Sequence, residues 1–286
     1  MVRLITDSGA DLSVDYLQAH NVEFIPFTLT IDGETYTDQH DITTDGVLQA
    51  IKDKRNVKTQ QASPEQLLNA FTKVAKTGED AIYICFSSVL SGTYQTAKLI
   101  YDDVLNNYPD FNLTIVDTYA ASMGQGLIVN RAIDHNNHYN HLDDILSAIQ
   151  RDIENIIHYF TVDDLHHLAQ GGRLSKGSAF LGSVMNIKPL LHVENGKLVP
   201  FEKHRGTKKL IKSMVNHFDK QAQSSVKKHI AICHADAIES AETLKQELLN
   251  IRPDAEIDIY NIGPIIGCHT GMGCFTLFFF KELDDE

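Results

Sequence analysis

Seven residues, Ser87-Ser88-Val89-Leu90-Ser91-Gly92-Thr93, lie between an apolar run, Ala81 to Phe86, and a segment with helical apolar spacing, Tyr94 to Tyr101. A strand, a polar turn and a helix start leave backbone N–H groups free beside the hydroxyls of Ser87, Ser88, Ser91 and Thr93. Such a turn can hold a small anion, a phosphate or a carboxylate, since the helix N-terminus favours negative charge. Ser and Thr are also common helix caps, and capping alone would account for them. The same two readings apply to Thr6-Asp7-Ser8-Gly9, which follows the short run Val2 to Ile5: polar groups facing a ligand crevice at a strand's carboxyl end, or the caps of a turn.

Other chemistry-bearing patterns fall short of a known site. Gly124-x-Gly126 lacks the third glycine of a dinucleotide fingerprint, since Val129 stands there. Gly172 to Ser178 lacks the lysine of a phosphate-binding P-loop, since Ser178 follows Gly177. Neither a nucleotide site nor a cofactor is expected. Cys85, Cys233, Cys268 and Cys274 include no Cys-x-x-Cys pair, which argues against a disulfide framework or zinc knuckle. Cys268, His269 and Cys274 crowd into seven residues without a separate partner pair, so no metal site is expected there. The His- and Asn-rich stretch from His135 to Leu142 reads as a solvated segment around a helix start.

Charge narrows the partners. A formal net charge of -13 opposes nonspecific attraction to nucleic acid or anionic membrane. The exception is Lys203-His204-Arg205-Gly206-Thr207-Lys208-Lys209, with Lys212 one turn on. No apolar run reaches the length of a membrane span and no signal-peptide pattern opens the sequence, so a cytoplasmic protein is expected.

These groups need a scaffold, and 286 residues with 43% hydrophobic content suffice for one large or two ordinary domains. Apolar runs alternating with helical segments predict a parallel α/β domain over residues 1–150. Within it, Ser13 to His20 and Asp41 to Ile51 read as helices, Glu23 to Ile31 as one extended run before the Asp32-Gly33 turn, and Leu113 to Asp117 as a strand. Ser63 caps a helix that starts with Pro64. A helix from Asp144 to Ile157 leads into residues 151–286, where short strands predict a mixed sheet. These are Tyr159 to Val162, a hairpin through Glu194-Asn195-Gly196-Lys197, His229 to Cys233, Ile257 to Asn261 and Phe275 to Phe280.

Read in order, the motifs resemble the DegV family and its fatty-acid-binding subunits of bacterial fatty acid kinase. They are Thr6-Asp7-Ser8, Thr59-x-Gln61-x-Ser63-Pro64, Ser87-Ser88-x-Leu90-Ser91-Gly92-Thr93-Tyr94-Gln95, Val116-Asp117, Ser122-Met123-Gly124-x-Gly126, Gly171-Gly172-Arg173-Leu174-Ser175, Lys188-Pro189-Leu190-Leu191, Arg205-Gly206 and Gly263-Pro264-x-Ile266-Gly267-x-His269-Thr270-Gly271. The resemblance implies a two-domain α/β fold with a long-chain fatty acid in a tunnel between or within the domains. It places Thr59, Ser91 and His269 around the carboxylate, Gly92 and Thr93 as further donors, and Thr270 beside them. Hydroxyls, amides and an imidazole N–H suit that anion without the full cost of burying a fixed cation. Gln60 and Ala62 depart from the family's usual Ser and Pro and leave the loop's conformation open.

For the acyl tail, Phe160, Phe180, Leu181, Val184, Met185 and Ile187 lie close in sequence and are candidates for the tunnel wall, though each could equally be plain core. The resemblance further implies that Arg205, and with it Arg173, engages an ATP-binding kinase partner or the phosphoryl group. The chain would then be a non-catalytic carrier that presents the carboxylate for acyl-phosphate formation and passes the product to a downstream acyltransferase, supplying phospholipid synthesis. Two alternatives stand: a serine hydrolase using Ser91 and His269, and a lipid carrier with no kinase partner.

Overall fold

A computed structural model of the protein describes residues 2–175 and 186–283. Four parallel strands, β1 (Arg3–Asp7), β2 (Glu23–Ile25), β6 (Ala81–Cys85) and β7 (Leu113–Asp117), form a sheet in the order β2-β1-β6-β7. The central β6, Ala-Ile-Tyr-Ile-Cys, is buried at every residue, as a strand covered on both faces must be. Helices α1 (Val14–Ala19), α3 (Pro64–Ala75) and α4 (Thr93–Leu105) belong to this part of the chain. The predicted cap of α3 is present as a reciprocal capping box between Ser63 and Gln66, with Pro64 in the first turn.

The extended run Glu23 to Ile31 is two strands, because Pro26 removes a ladder donor between them. β3 (Thr28–Ile31) leaves the parallel sheet and pairs antiparallel with β4 (Glu34–Thr37) and β5 (Val57–Gln60). The β3–β4 turn places Asp32 and Gly33 at φ 54° and 92°, the left-handed conformation that this dipeptide signals. Thr59 therefore sits on a strand, opposite Leu29. α2 (Thr44–Lys52) follows this hairpin, capped by Thr43.

A second large sheet has six strands in the order β10-β9-β8-β13-β11-β12. They are β8 (Ile156–Thr161), β9 (Ile187–Glu194), β10 (Lys197–Arg205), β11 (Ile230–Ala235), β12 (Ile257–Asn261) and β13 (Cys274–Phe280). Only β11 and β12 run parallel; the other pairs are antiparallel, so the sheet is mixed. Its side chains alternate between two cores. Cys274, Phe278 and Phe280 join the core shared with the parallel sheet, whereas Phe275, Leu277 and Phe279 join a core under α8 (Thr207–Gln221) and α9 (Ile238–Ile251).

α5 (Met123–His138) contacts strands of both large sheets and packs on α6 (Leu142–Asn155). The His/Asn-rich stretch is not a solvated helix start at its first residue. His135 is buried in the last turn of α5, its Nε2 2.7 Å from the Asp152 carboxylate, which also accepts from Arg131 Nε at 3.4 Å. Pairing across two helices brings these charges inside together.

Asp7, at the end of β1, joins the first layers. Its carboxylate accepts from Tyr83 Oη at 2.8 Å, Phe86 N at 3.0 Å, Gly9 N at 3.1 Å and Gln125 Nε2 at 3.1 Å. Burial raises its pKa, and these four donors, each favouring the anion, oppose that rise. Asp7 is thus both a turn cap and a buried hub. Ser8 Oγ accepts from Phe27 N at 2.9 Å.

Candidate functional site

Between the sheets lies a cavity whose non-atom space, counted with the solvent at its open mouth, is about 820 Å³. Its wall is mostly apolar and comes from distant parts of the chain: Phe27, Phe86, Phe160, Ile265 and Phe278 all face it. Its polar end gathers Thr59, Ser91, Arg173, His269 and Thr270.

Four separate parts of the chain bring those groups together. β5 presents Thr59, whose Oγ1 lies 2.7 Å from His269 Nε2. His269 is in the last turn of α10 (Pro264–Thr270), which starts at Gly263-Pro264 and stops where Gly271 takes φ 67°. Thr270 Oγ1 donates to Ile266 O at 3.1 Å. α7 (Leu165–Gln170) ends in Gly171-Gly172, and Gly171 allows the imidazole to come close: a Cβ there would stand 2.6 Å from His269 Nδ1. Arg173 follows, its Nε donating to Leu90 O at 3.1 Å and its Nη1 to Gly171 O. The guanidinium thus ties the α7 turn to the loop that carries Ser91.

In that loop Ser91 Oγ accepts from Thr93 N at 3.2 Å and lies 2.9 Å from Thr93 Oγ1. Thr93 Oγ1 in turn accepts from Ala62 N at 3.3 Å, which links this loop to the entry of α3. Of the four hydroxyls singled out in the sequence, only Ser91 lines the cavity. Ser87 Oγ donates to Gly196 O at 3.3 Å, latching the β9–β10 hairpin, and Thr93 is buried behind Ser91. Gly92 and Thr93 are absent from the described lining, and the Thr93 amide is already used by Ser91. The departures at 60 and 62 have simple outcomes: Gln60 Oε1 accepts from Thr28 Oγ1 at 2.9 Å, and buried Ala62 keeps its amide on Thr93.

Charge at the polar end is one-sided. Burial, and then the Arg173 cation, lower the His269 pKa to about 4, so at neutral pH the imidazole is uncharged. Burial lifts the Cys268 and Cys274 thiols to about 11 and about 12, which keeps them protonated. Among the described lining residues Arg173 is the sole fixed cation, and no acidic side chain faces the space. The arrangement can accept one anionic head group and a long apolar tail.

Of the tail candidates, Phe160 lines the cavity. Ile187 opens β9 and is outside the described lining, and Phe180, Leu181, Val184 and Met185 lie outside the described residues. Sequence reasoning missed Phe27, Phe86, Ile265 and Phe278 as wall residues; for β13 the period-two alternation was the available signal. Arg205 ends β10, exposed and paired in register with Ile187, away from the cavity lining. No group of three His, Cys, Asp or Glu suited to a metal occurs among the described residues, and no helix there is long and apolar enough to cross a membrane.

The sequence matches the DegV family, described as uncharacterised proteins, over residues 1–282. The chain belongs to the DegV family. A DegV domain-containing protein of Clostridium perfringens is 35% identical over 282 residues, covering 98% of this chain and 97% of that one. One from Streptococcus pyogenes is 37% identical over 278 residues, 96% of each. Among solved structures, a DegV family protein of Thermus thermophilus reported for its fatty acid binding superposes with a TM-score of 0.90 at 28% identity, over 98% of this chain and 99% of that one. The fatty acid binding DegV family protein of Streptococcus agalactiae superposes with a TM-score of 0.88 at 29% identity, over 100% and 99%.

Proposed function

We propose that this DegV protein binds a long-chain fatty acid with its carboxylate at Thr59, Ser91, His269 and Arg173 and its tail in the apolar cavity. The observation that carries this reading is an apolar space whose polar end, among the described residues, holds one guanidinium, several hydroxyls and no acid. Binding by the Thermus and Streptococcus relatives supports it. Burying a sixteen-carbon chain contributes on the order of ten kcal/mol before the losses of immobilisation, at about 0.8 kcal/mol per methylene. Purified protein should therefore release a long-chain acid on organic extraction, read by mass spectrometry, or take up added acid if isolated empty. Absence of both would overturn the reading. Ser91→Ala should weaken uptake by about 1 to 3 kcal/mol, the usual loss for one hydrogen-bond donor to a charged group.

In the fuller reading the protein acts in the cytoplasm. It presents the carboxylate to a separate ATP-dependent kinase subunit, and the acyl phosphate passes to an acyltransferase that feeds phospholipid synthesis. The supporting feature is the exposed Arg205 beside exposed Lys208, Lys209 and Lys212, a basic patch on a chain of net charge -13. Arg205→Ala should leave fatty-acid binding intact and cut acyl-phosphate formation by the reconstituted pair about tenfold, roughly 1.4 kcal/mol. Arg205→Lys should recover little, because an ammonium lacks the bidentate fork. Unchanged phosphorylation would remove Arg205 from this role. A serine hydrolase gains no support from the geometry: Ser91 Oγ is engaged with Thr93 and His269 Nε2 with Thr59, so the pair lacks a nucleophile–base bond.

A further inference from the structure

The acyl cavity shares a wall with a second, polar cleft. Ile262 lines both, and beside it Asp11 faces the cleft while Ser122, which faces the cavity, donates its hydroxyl to Asp11 Oδ2 at 2.5 Å. Asp38 stands behind the same cavity: its amide donates at 3.0 Å to the carbonyl of Phe27, another lining residue. Two carboxyl groups are thus one residue removed from the acyl space.

Both are buried, and neither is matched. Asp11 Oδ1 and the two carboxyl oxygens of Asp38 have no hydrogen-bond partner, and no cationic side chain among the described residues forms an ion pair with either group. A buried carboxylate without a counter-charge is costly, and a bound proton removes that cost. Burial lifts the Asp11 pKa to about 8, with the Asp38 charge adding to the rise, and lifts that of Asp38 to about 7. The pair therefore gains and loses protons around neutral pH, and the cleft gives Asp11 its exchange with solvent.

The surrounding titratable groups behave differently. The Cys233 and Cys274 thiols, which sense the Asp11 charge, are raised by burial and stay protonated there. Burial also raises Tyr16 and Tyr260 in the cleft, where Asp41 is held low by Thr37. Across the cavity, burial holds His158 and His269 at about 3 and about 4. His40, exposed in the cleft, is the remaining neighbour and serves as a control.

Resting on the fatty-acid reading above, we infer that acyl binding is coupled to proton uptake at Asp11 and Asp38, so that the protein loads ligand at lower pH and releases it as pH rises. Filling the cavity replaces water with hydrocarbon and brings the ligand's own negative charge into the same low-dielectric space. Both effects penalise an ionised Asp11 or Asp38 and leave the protonated forms unaffected. By linkage the ligand then binds more tightly where the pair is protonated, and the bound ligand raises the pair's affinity for protons.

Calorimetric titration of the delipidated protein with myristate, dilute enough to stay monomeric, reads the protons taken up per ligand when repeated in buffers of different ionisation enthalpy. Near about pH 7.5 the wild type should take up protons, and its affinity should fall about tenfold from about pH 6 to about pH 9, the change that a one-unit displacement of a single pKa gives. Asp11→Asn suits the test, since asparagine tolerates the left-handed backbone at φ 55° and keeps an acceptor for Ser122. Asp11→Asn and Asp38→Asn should each reduce the uptake and flatten the profile, and the double variant should abolish the protein's share; protonation of myristate itself is common to all and cancels in the difference. His40→Gln should change neither readout. The inference is overturned if the wild type takes up no proton, if the double variant keeps the wild-type uptake, or if His40→Gln removes it. If an aspartate variant fails to fold, wild-type uptake that survives His40→Gln supports the inference and its absence overturns it. Failure of myristate to bind at any pH would instead overturn the fatty-acid reading on which this one rests.

Discussion

Asp7→Ala is expected to lower the stability of the folded chain by about 3 to 5 kcal/mol, a large share of the 5 to 15 kcal/mol typical of a domain. The reason is the number of donors left behind. Tyr83 Oη, the amides of Phe86 and Gly9, and Gln125 Nε2 converge on one fully buried carboxylate, and alanine satisfies none of them. A buried donor without a partner costs about 1 to 3 kcal/mol, and partial entry of water keeps four such costs from adding fully. Asp7→Asn should fall between, since the amide keeps the shape but turns N–H groups toward two of the donors. Urea midpoints for the three proteins read this directly. A loss below about 1 kcal/mol for alanine would mean that the donors find other partners and that Asp7 is only a turn cap.

Arg173→Ala is expected to weaken fatty-acid binding by about 2 to 4 kcal/mol, a factor of roughly thirty to several hundred. With His269 neutral, the guanidinium is the only fixed positive charge on the described wall, so its removal leaves a bound carboxylate without a counter-charge. Arg173→Lys should restore a minority of the loss, because a lysine cannot keep the contact to Leu90 O while facing the head group with a fork. A second readout separates charge from simple disruption. Arg173 is one of the two causes that depress the His269 pKa, so in Arg173→Ala the imidazole should titrate above about 4 in an NMR pH series. Unchanged affinity together with an unmoved His269 titration would place Arg173 outside the site.

What could be read in the sequence was local. The capping box at Ser63, the Asp32-Gly33 and Asn195-Gly196 turns and the buried β6 are each specified by residues a few positions apart, and each is in the structure where the sequence put it. The resemblance to the DegV family carried the α/β class and brought Thr59, Ser91 and His269 forward as a group. What escaped depends on contacts between remote positions. Nothing near Thr59 announces that Leu29 will pair with it, and nothing near His135 announces Asp152. The resemblance implies a partner or phosphoryl role for Arg173; in the fold its Nε meets Leu90 O and the residue lines the cavity. The tail candidates from Phe160 to Ile187 lie close in sequence, whereas Phe27, Phe86 and Phe278 reach the cavity wall from three different strands or loops.

The alternation along β13 carries a consequence for how this protein can change. Positions 274, 276 and 278 meet the ligand space, while Phe275, Leu277 and Phe279 meet the core under α8 and α9 on the opposite face of the same strand. A substitution at Thr276 or Phe278 reshapes the cavity and also acts on the Cys233 N–Thr276 bond or on the core shared with the parallel sheet, but it leaves untouched the packing under α8 and α9 on the strand's other face. One seven-residue segment thus meets the cavity on one face and the core under α8 and α9 on the other, and a library confined to Thr276 and Phe278 should change what the cavity accepts while leaving that second core intact.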